Sequence, residues 1–337
     1  MQLKNMVAMG LRVVSYQILG RRCPVNVMLA VTNRCNCSCN YCDITSRNQK
    51  DIPLDDILRL IDEIKAAGAV RLGLWGGEPL LRDDIGEIVS YAKSKKLYVT
   101  MDTNGLIWPQ CADKLKDLDH VVFALDGDRS SHEANRGEGT FDRVMEALEN
   151  ATSNTEMNVW TLSVLTKNNL NKIDYILDTA EKFKTYAAFQ ILHHNDVLGR
   201  NHDEMMPTNE EYKKVIRHLL KRKKEGARIS SSARYLNYLL KWKDYQQTVS
   251  VEPHLGLSCK AGGLYCNVDA DGKVYGCSLL VEKAEALNAF EVGFRKAFDA
   301  IPAVPCQGCT AACFTEYNYL YGLDPKCILE WINTTRA

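Results

Sequence analysis

The chain lacks both a net charge and a long apolar stretch. Its 337 residues include 42 Lys plus Arg and 42 Asp plus Glu. This balance gives no sign of a nucleic-acid partner, and no basic run resembles a phosphate-binding arm. There is no apolar run of about 18 residues and no secretory signal with a short apolar core. These absences predict a cytoplasmic globular protein.

Acidic residues are missing from the first 42 positions. Apolar side chains recur there with a helical period; they are Leu3, Met6, Val7, Leu11, Val14, Ile18 and Leu19. A basic amphipathic helix can lie on an anionic membrane surface, and Lys4, Arg12, Arg21 and Arg22 supply the charge. Packing against a barrel is the alternative role. The pattern predicts an amphipathic N-terminal helix within residues 1–24. Peripheral membrane contact through residues 1–22 and packing against the barrel are the two alternative roles for it.

Cysteine is abundant, with 13 residues. A cytosolic protein keeps its thiols reduced, so clustered cysteines favour metal binding over disulfides. Eleven of the cysteines fall in three groups, at positions 35–42, 259–277 and 306–327. Cys23 and Cys111 stand alone and are interpreted as small buried apolar residues.

The first group sets Cys35, Cys39 and Cys42 in a C-x3-C-x2-C loop. An ordinary [4Fe–4S] cluster takes four cysteine ligands, so a loop with three leaves one iron open. An open coordination site is where a metal centre performs chemistry. Cys37 is out of register and is interpreted as a bystander. The loop therefore predicts an enzyme.

From Val25 onward, short β-branched runs alternate with amphipathic helices. The predicted strands are Val25–Val31, Arg71–Trp75, Leu97–Met101, His120–Leu125, Asn158–Leu165 and Tyr186–Leu192, and the helices lie near 53–67, 83–95, 140–151 and 170–183. Strands separated by helices indicate parallel βα units. We predict an α/β fold with a partial (β/α)6 TIM-like barrel at residues 25–200. Its chemistry is expected at the carboxyl ends of the strands, where the three-cysteine loop follows the first strand.

The rest of the chain differs in composition. Residues 201–250 predict a helical connector. Residues 251–337 are rich in Cys and Gly, and such a small region is better stabilised by metal than by a core of its own. The candidate ligands there are Cys259, Cys266, Cys277, Cys306, Cys309, Cys313 and Cys327. Asp269–Gly272 predicts a hairpin turn. Structural zinc is the alternative metal.

A second motif follows the second strand as Gly76-Gly77-Glu78-Pro79. Two glycines let a backbone approach a ligand closely. Together with the cysteine loop, Tyr41, Thr103-Asn104-Gly105 and Leu125-Asp126-Gly127, this motif resembles the radical S-adenosylmethionine (SAM) superfamily over roughly residues 25–195. The resemblance implies a [4Fe–4S] cluster whose open iron binds SAM. It also implies reductive cleavage of SAM to a 5′-deoxyadenosyl radical, which abstracts hydrogen from a substrate.

The resemblance also implies residue roles. Gly76, Gly77 and Glu78 correspond to the edge that holds the methionine amino group, and Tyr41 to the aromatic residue against adenine. A guanidinium suits a carboxylate, so Arg136 is the expected partner of the SAM carboxylate. Relatives often have Ser where this chain has Ala124, and the ribose contact is instead expected from Ser163. The expected cofactor-binding residues are thus Tyr41, Gly76, Gly77, Glu78, Pro79, Asn104, Asp126, Arg136 and Ser163.

The C-terminal cysteines resemble the SPASM or twitch extension of these enzymes, which holds one or two auxiliary clusters. Eight ligands are usual for two clusters, and this region has seven cysteines. We therefore expect at least one auxiliary [4Fe–4S] cluster, for electron transfer or substrate anchoring. Glu316 is a candidate for completing a second cluster, with an ordinary surface glutamate as the alternative.

Substrate signals are few. His193 and His194 follow the sixth strand and are candidates for substrate binding or proton transfer, with a solvated loop as the alternative. The substrate is expected to be a peptide, a small molecule or a lipid, and the electron donor a flavodoxin or ferredoxin. About 24 residues precede the first strand, too few for a built-in leader-peptide-binding domain. A non-catalytic iron–sulfur carrier or scaffold and a zinc-stapled interaction module are the rival functions.

Overall fold

The computed structural model describes residues 3–47, 49–153, 157–193 and 203–335; the candidate His194 lies outside them. The strands are β1 Asn26–Thr32, β2 Arg71–Gly76, β3 Tyr98–Thr103, β4 His120–Ala124, β5 Asn158–Leu165, β6 Tyr186–Ile191, β7 Val249–Ser250, β8 Tyr265–Val268, β9 Val274–Tyr275 and β10 Gly308–Cys309. The helices are α1 Leu3–Leu19, α2 Leu54–Ala66, α3 Ile85–Ser94, α4 Trp108–Cys111, α5 Arg129–Arg136, α6 Thr140–Thr152, α7 Ile173–Lys182, α8 Asn209–Lys224, α9 Ala233–Leu240, α10 Ala289–Val292, α11 Phe294–Asp299, α12 Ala312–Tyr321 and α13 Pro325–Thr335.

One sheet of eight strands forms the centre of the fold, in the order β6-β5-β4-β3-β2-β1-β8-β9. The first six strands in the chain are parallel and joined by helices. Each begins and ends within about two residues of its predicted range, because β-branched runs flanked by helices mark buried parallel strands clearly. The α/β fold and the partial barrel are thus confirmed.

The two faces of the sheet differ in polarity. Residues that point toward the helices form a continuous apolar core with α2, α3 and α6; Val27, Leu29, Leu72 and Leu74 are among its fully buried members. Alternate residues point to the opposite, concave face, since side chains alternate along a strand. That face carries polar and aromatic residues, including Asn26, Arg71, Trp75, Thr100, Asp102 and His120. The concave face is therefore suited to binding a polar ligand.

The C-terminal region extends this sheet. Strand β8 pairs in parallel with β1, and β9 returns antiparallel to β8. The turn between them contains Asp269 and Gly272, and the Gly272 N–H donates to the Asp269 carbonyl over 2.9 Å. Gly272 has a φ of +87°, which favours glycine. The predicted hairpin forms, and it is continuous with the barrel.

Helix α12 covers part of the concave face. The Ala312 N–H donates to Gln190 Oε1 on β6 over 2.8 Å, and Tyr317 accepts a hydrogen bond from Arg71 on β2. The Arg71 guanidinium also lies over the Tyr317 ring, 5.5 Å from its centroid. The cysteine-rich region is thereby fixed against the barrel interior.

Helices α8 and α9 occupy the connector region and pack into a second apolar core with β6 and α7. The predicted helix within residues 1–24 is α1, whose inner face joins a third core with the C-terminal region. Among the described residues, no helix has the length and apolarity needed to cross a bilayer.

Candidate active site and cysteine clusters

The three-cysteine loop begins at the carboxyl end of β1. A cavity of about 180 Å³ opens beside it, and Cys35, Cys39 and Cys42 all line this cavity. Its other walls come from the ends of neighbouring strands, including Trp75, Gly76, Gly77, Asp102, Asn104, Ala124 and Leu162. The loop and the cavity thus occupy the edge of the sheet at which parallel folds of this kind place their chemistry.

Polar donors point at two of the loop thiols. The Arg136 Nη1 group lies 3.6 Å from Cys39 Sγ, and the Asn104 Nδ2 group lies 3.7 Å from Cys35 Sγ. The Cys37 thiol, 3.4 Å from Cys39 Sγ, and the Arg136 charge lower the pKa of Cys39. Burial raises the pKa of Cys35 to about 11. Nearby N–H groups stabilise a thiolate, the form in which cysteine binds metal.

These residues fit a site-differentiated [4Fe–4S] cluster. Three soft sulfur donors surround one cavity, as such a cluster requires. Cys37 also lines the cavity, but its thiol lies 3.1 Å from the Arg136 carbonyl, to which it donates. Within the described part of the chain, no three His, Cys, Asp or Glu side chains already meet in metal-binding geometry.

The glycines at the end of β2 allow a close approach to the cysteine loop. A Cβ atom on Gly76 would lie 2.1 Å from the Thr32 carbonyl oxygen, and one on Gly77 would lie 2.2 Å from that of Arg34. The Gly77 and Glu78 N–H groups donate to these same two carbonyls, each over 2.8 Å. Both glycines also line the cavity. The motif thus fixes the start of the loop as well as forming a cavity wall.

Glu78 is an internal anchor of this edge. Its fully buried carboxylate accepts hydrogen bonds from the Leu80 N–H, the Thr103 hydroxyl and the Asn104 N–H at 3.0, 2.7 and 2.7 Å. Burial raises its pKa to about 7, against the effect of these donors. Pro79 follows as the first residue of a short 3₁₀ turn. Glu78 and Pro79 lie behind the cavity wall, where they connect β2 to the end of β3.

Asp126 joins Tyr41 and Arg136 in one buried network. Its carboxylate accepts from the Tyr41 hydroxyl and the Arg136 Nε, each over 2.8 Å, and from the Val164 N–H over 2.8 Å. The Arg136 guanidinium also lies over the Tyr41 ring, 5.5 Å from its centroid. Tyr41 and Arg136 line the cavity, whereas Asp126 does not. Asp126 thus positions the two cavity residues.

Arg136 ends α5, a helix that is not among those predicted from the sequence. The Asp128 side chain caps this helix by accepting from the Ser131 N–H over 3.1 Å. The signal was present in the sequence, since an Asp followed by polar helix formers is a helix start. The helix was missed because it has only eight residues and few of them are apolar.

Ser163 lies on the face of β5 away from the cavity. Its neighbour Leu162 lines the cavity, and consecutive strand residues point to opposite faces. The Ser163 hydroxyl donates to the Leu125 carbonyl over 2.5 Å and is fully buried. A ribose contact from this side chain therefore has no support in the geometry. Ala124, by contrast, does line the cavity.

Asp102 on β3 was missed by motif reading. Of the described side chains that line the cavity, it alone carries a carboxylate. Among the described residues, no hydrogen bond or ion pair reaches it, although the Arg71 charge is near. Its side chain is exposed to the cavity, and desolvation by the surrounding barrel raises its pKa to about 6. Its position directly before the Thr103-Asn104-Gly105 motif, on a strand whose alternate residues face inward, is the signal that could have identified it.

Four C-terminal cysteines form a second group. The Cys277 thiol is close enough to those of Cys259, Cys306 and Cys309 for their charges to interact. Cys306 and Cys309 each interact with Cys259 in the same way. Burial raises the pKa of Cys306 to about 11 and that of Cys309 to about 12. Four neighbouring thiols match the ligand number of a complete [4Fe–4S] cluster or a structural zinc site.

The three remaining C-terminal cysteines lie elsewhere. Cys266 belongs to β8 and packs into the main apolar core. Cys313, at the start of α12, has Asp102 and Arg71 as its charged neighbours. Cys327 Sγ lies 3.6 Å from Glu316 Oε2, and burial raises the pKa of Glu316 to about 7. The structure therefore does not bring the seven candidate ligands into one group.

His193 is half-buried just after β6. Its Nε2 atom lies 2.6 Å from Gln190 Nε2, and Gln190 contacts the cysteine-rich region through Ala312. This places His193 beside the junction between the barrel and α12 rather than in the cavity beside the cysteine loop.

A buried ion pair joins the two cysteine regions. Arg47, in the 3₁₀ turn after the cysteine loop, donates from Nη1 and Nη2 to the two Asp269 carboxylate oxygens over 2.9 and 2.5 Å. Their side chains are 5% and 1% exposed. A planar guanidinium suits this bidentate geometry. The pair fixes the cysteine loop relative to the β8–β9 turn.

Comparison with known proteins identifies related families of enzymes. The family model of the radical SAM superfamily matches residues 29–180. The mycofactocin maturase MftC of Mycolicibacterium smegmatis is 26% identical over 341 residues, covering 93% of this chain and 84% of the relative. A probable GTP 3′,8-cyclase of Methanococcus maripaludis is 30% identical over 207 residues, covering 58% of this chain and 68% of the relative.

Solved structures show the same fold. SuiB of Streptococcus suis, in a crystal structure with its precursor peptide SuiA, superposes with a TM-score of 0.68 at 15% identity. The match covers 87% of this chain and 69% of SuiB. The three-cysteine loop, the Gly76–Gly77 edge and these relatives lead to the same conclusion. The chain belongs to the radical SAM superfamily, as an enzyme with a SPASM- or twitch-like C-terminal region.

Proposed function

We propose that this radical SAM enzyme modifies a peptide, with an auxiliary [4Fe–4S] cluster bound by Cys259, Cys277, Cys306 and Cys309. The observation that carries the proposal is the separation of the cysteines into a group of three beside a cavity and a second group of four, of which Cys277, Cys306 and Cys309 are buried. The peptide class is supported by two relatives, a mycofactocin maturase and SuiB bound to a precursor peptide.

When bound at Cys35, Cys39 and Cys42, the cluster and SAM supply the electron transfer that breaks the C5′–S bond and yields the 5′-deoxyadenosyl radical. The protein's part is to hold these groups and keep water out. Arg136 and Asn104 direct N–H groups toward the loop sulfurs. The Gly76–Gly77 wall offers backbone groups close to where the methionine end of SAM would lie.

Asp126 keeps this arrangement rigid. Because its carboxylate is bonded to Tyr41, Arg136 and the β5 backbone, it fixes the loop and the cavity wall together. We assign it a positioning role, and we assign Tyr41 and Arg136 the contacts with SAM. A network whose members are all satisfied specifies one geometry.

Asp102 faces the substrate side of the cavity. A carboxylate without an internal partner suits an N–H donor or a cation on the substrate. The polar concave face behind it, with Arg71 and Trp75, would accommodate the polar groups of a peptide. A flavodoxin or ferredoxin is the proposed electron donor.

The test is to incubate the reduced holoenzyme and SAM with short peptides encoded beside its gene. Mass spectrometry is expected to show a peptide that has lost hydrogen or gained a cross-link, together with increased 5′-deoxyadenosine. If these peptides leave 5′-deoxyadenosine unchanged while a nucleotide or another small molecule increases it, the peptide assignment is wrong.

A further inference from the structure

Helix α1 exposes an apolar stripe on its outer face. Val7, Leu11, Val14 and Ile18 are 54%, 68%, 39% and 74% exposed. Their spacings of four, three and four residues place them along one side of the helix. We name these four residues the outer stripe. An exposed apolar strip of this kind commonly marks an interaction surface.

The outer stripe is not needed to attach α1 to the rest of the chain. The opposite face docks through Met9 and Val13, which are 6% and 2% exposed in the C-terminal core. Gln17 Nε2 also donates to the Tyr321 carbonyl over 2.6 Å. The helix is therefore held by one face while it presents a second apolar face to the outside.

Basic charge surrounds the outer stripe. Lys4 and Arg21 are exposed at its two ends, and no acidic residue occurs before Asp43. On one flank, Arg12 lies near Lys65, which also has Lys96 as a neighbour. Burial and these two like charges lower the pKa of Lys65. Within the described ranges, none of Arg12, Lys65 and Lys96 forms an ion pair, so the flank presents uncompensated positive charge.

We propose that the outer stripe and these basic residues dock the enzyme on an anionic lipid surface. Apolar side chains enter the boundary between headgroups and acyl chains, while Lys and Arg contact the phosphates. Charge complementarity favours this occupant over a second copy of the chain. Two α1 helices packed antiparallel would bring Lys4 of one opposite Arg21 of the other, and like charges repel.

The experiment measures co-sedimentation of the full-length holoenzyme with liposomes, of either phosphatidylcholine alone or an equal mixture of phosphatidylcholine and phosphatidylglycerol. The wild type is expected to bind the mixed vesicles at least about tenfold more tightly, and to release them in high salt. Leu11→Glu and Ile18→Glu are expected to remove binding, because each places a carboxylate in the stripe. Val251→Glu is the matched control, since Val251 is 76% exposed outside α1.

Circular dichroism and SAM cleavage without lipid serve as controls for folding, and both are expected to be unchanged in all three variants. The proposal is overturned if the wild type stays in the supernatant or binds both vesicles equally. It is also overturned if Leu11→Glu binds like the wild type. A dimer in lipid-free buffer that Leu11→Glu dissociates would assign the stripe to a second copy instead.

Discussion

The two cysteine groups of this enzyme differ in number, burial and surroundings. The barrel loop contributes three thiols to the edge of a cavity, beside N–H donors from Arg136 and Asn104. The C-terminal group has four thiols near one another, among aromatic residues such as Tyr265 and Phe314, whose rings stack 5.6 Å apart. Three ligands leave an iron open to a substrate, whereas four complete a cluster.

The comparison shows how one chain keeps two groups of cysteines distinct. The open site is formed by loops at strand ends, where a cavity and charged residues meet. The closed site lies in a small region that is attached to the barrel through β8 and α12. The Arg47–Asp269 ion pair fixes the position of the two regions relative to each other.

The largest expected effect comes from removing one ligand of the closed site. Cys277→Ala should lose about four irons per chain, since a cluster with three ligands in a buried group is not retained as a complete site. Iron and sulfide quantification measures this. The matched control is Cys266→Ala, which removes a core cysteine and should leave the iron content unchanged. Equal iron loss in both variants would contradict the proposed ligand set.

The next effect concerns the network beside the open site. Asp126→Asn leaves the buried Arg136 charge without its partner and should lower the free energy of unfolding by about 3–5 kcal/mol. Denaturant titration under anaerobic conditions measures the loss. The Arg136→Met/Asp126→Leu double variant removes both charges and should recover part of it. No recovery would show that the two residues do not act as a pair.

A smaller effect is expected at the cavity wall. Gly77→Ala forces a Cβ to within 2.2 Å of the Arg34 carbonyl oxygen, at a cost of about 1–3 kcal/mol through displacement of the loop. Iron bound at the open site should fall as well. Gly10→Ala is the control, because a Cβ there meets nothing within 4 Å, and it should stabilise α1 slightly. Thermal unfolding of both variants measures these changes. A Gly77→Ala variant as stable as Gly10→Ala would contradict the prediction.

The smallest effect is a pH dependence from Asp102. Desolvation by the surrounding barrel raises its pKa from 3.8 to about 6, although its side chain is exposed to the cavity, so the folded state binds the proton more tightly than the unfolded state. The stability contribution is fully present below pH 3.8 and is lost as the pH rises through about 6. Because the cavity admits water, the loss should be on the order of 1 kcal/mol or less. Asp102→Asn should abolish this slope in unfolding experiments across that range; a persisting slope would assign it to another group.

The sequence was sufficient to predict the barrel and the open site. The six βα units alternate short β-branched runs with amphipathic helices, and Cys35, Cys39 and Cys42 are close together in the chain. The turn at Asp269–Gly272 was predicted, but the addition of β8 to the barrel sheet was not, because four residues inside a region rich in Cys and Gly give no distinctive period. Its pairing with β1 is a contact between residues more than 200 positions apart.

Side-chain partners were harder to predict than positions. The sequence motif predicts Asp126 near SAM, but in the fold its carboxylate accepts hydrogen bonds from Tyr41, Arg136 and the Val164 N–H. Ser163 was expected in the cavity, and strand alternation turns it away. The division of the C-terminal cysteines likewise depends on tertiary packing, since spacing alone does not separate Cys266 from Cys259 and Cys277.

The central claim is that the open group cleaves SAM and the closed group holds a separate cluster. Its most direct test is 5′-deoxyadenosine formation by the reconstituted, reduced enzyme, with Cys35/Cys39/Cys42→Ala compared with Cys277→Ala. We expect no product above background from the triple variant, although it retains about four irons. We expect Cys277→Ala to cleave SAM still. Product from the triple variant, or none from Cys277→Ala while its open-site cluster is intact, would contradict the account.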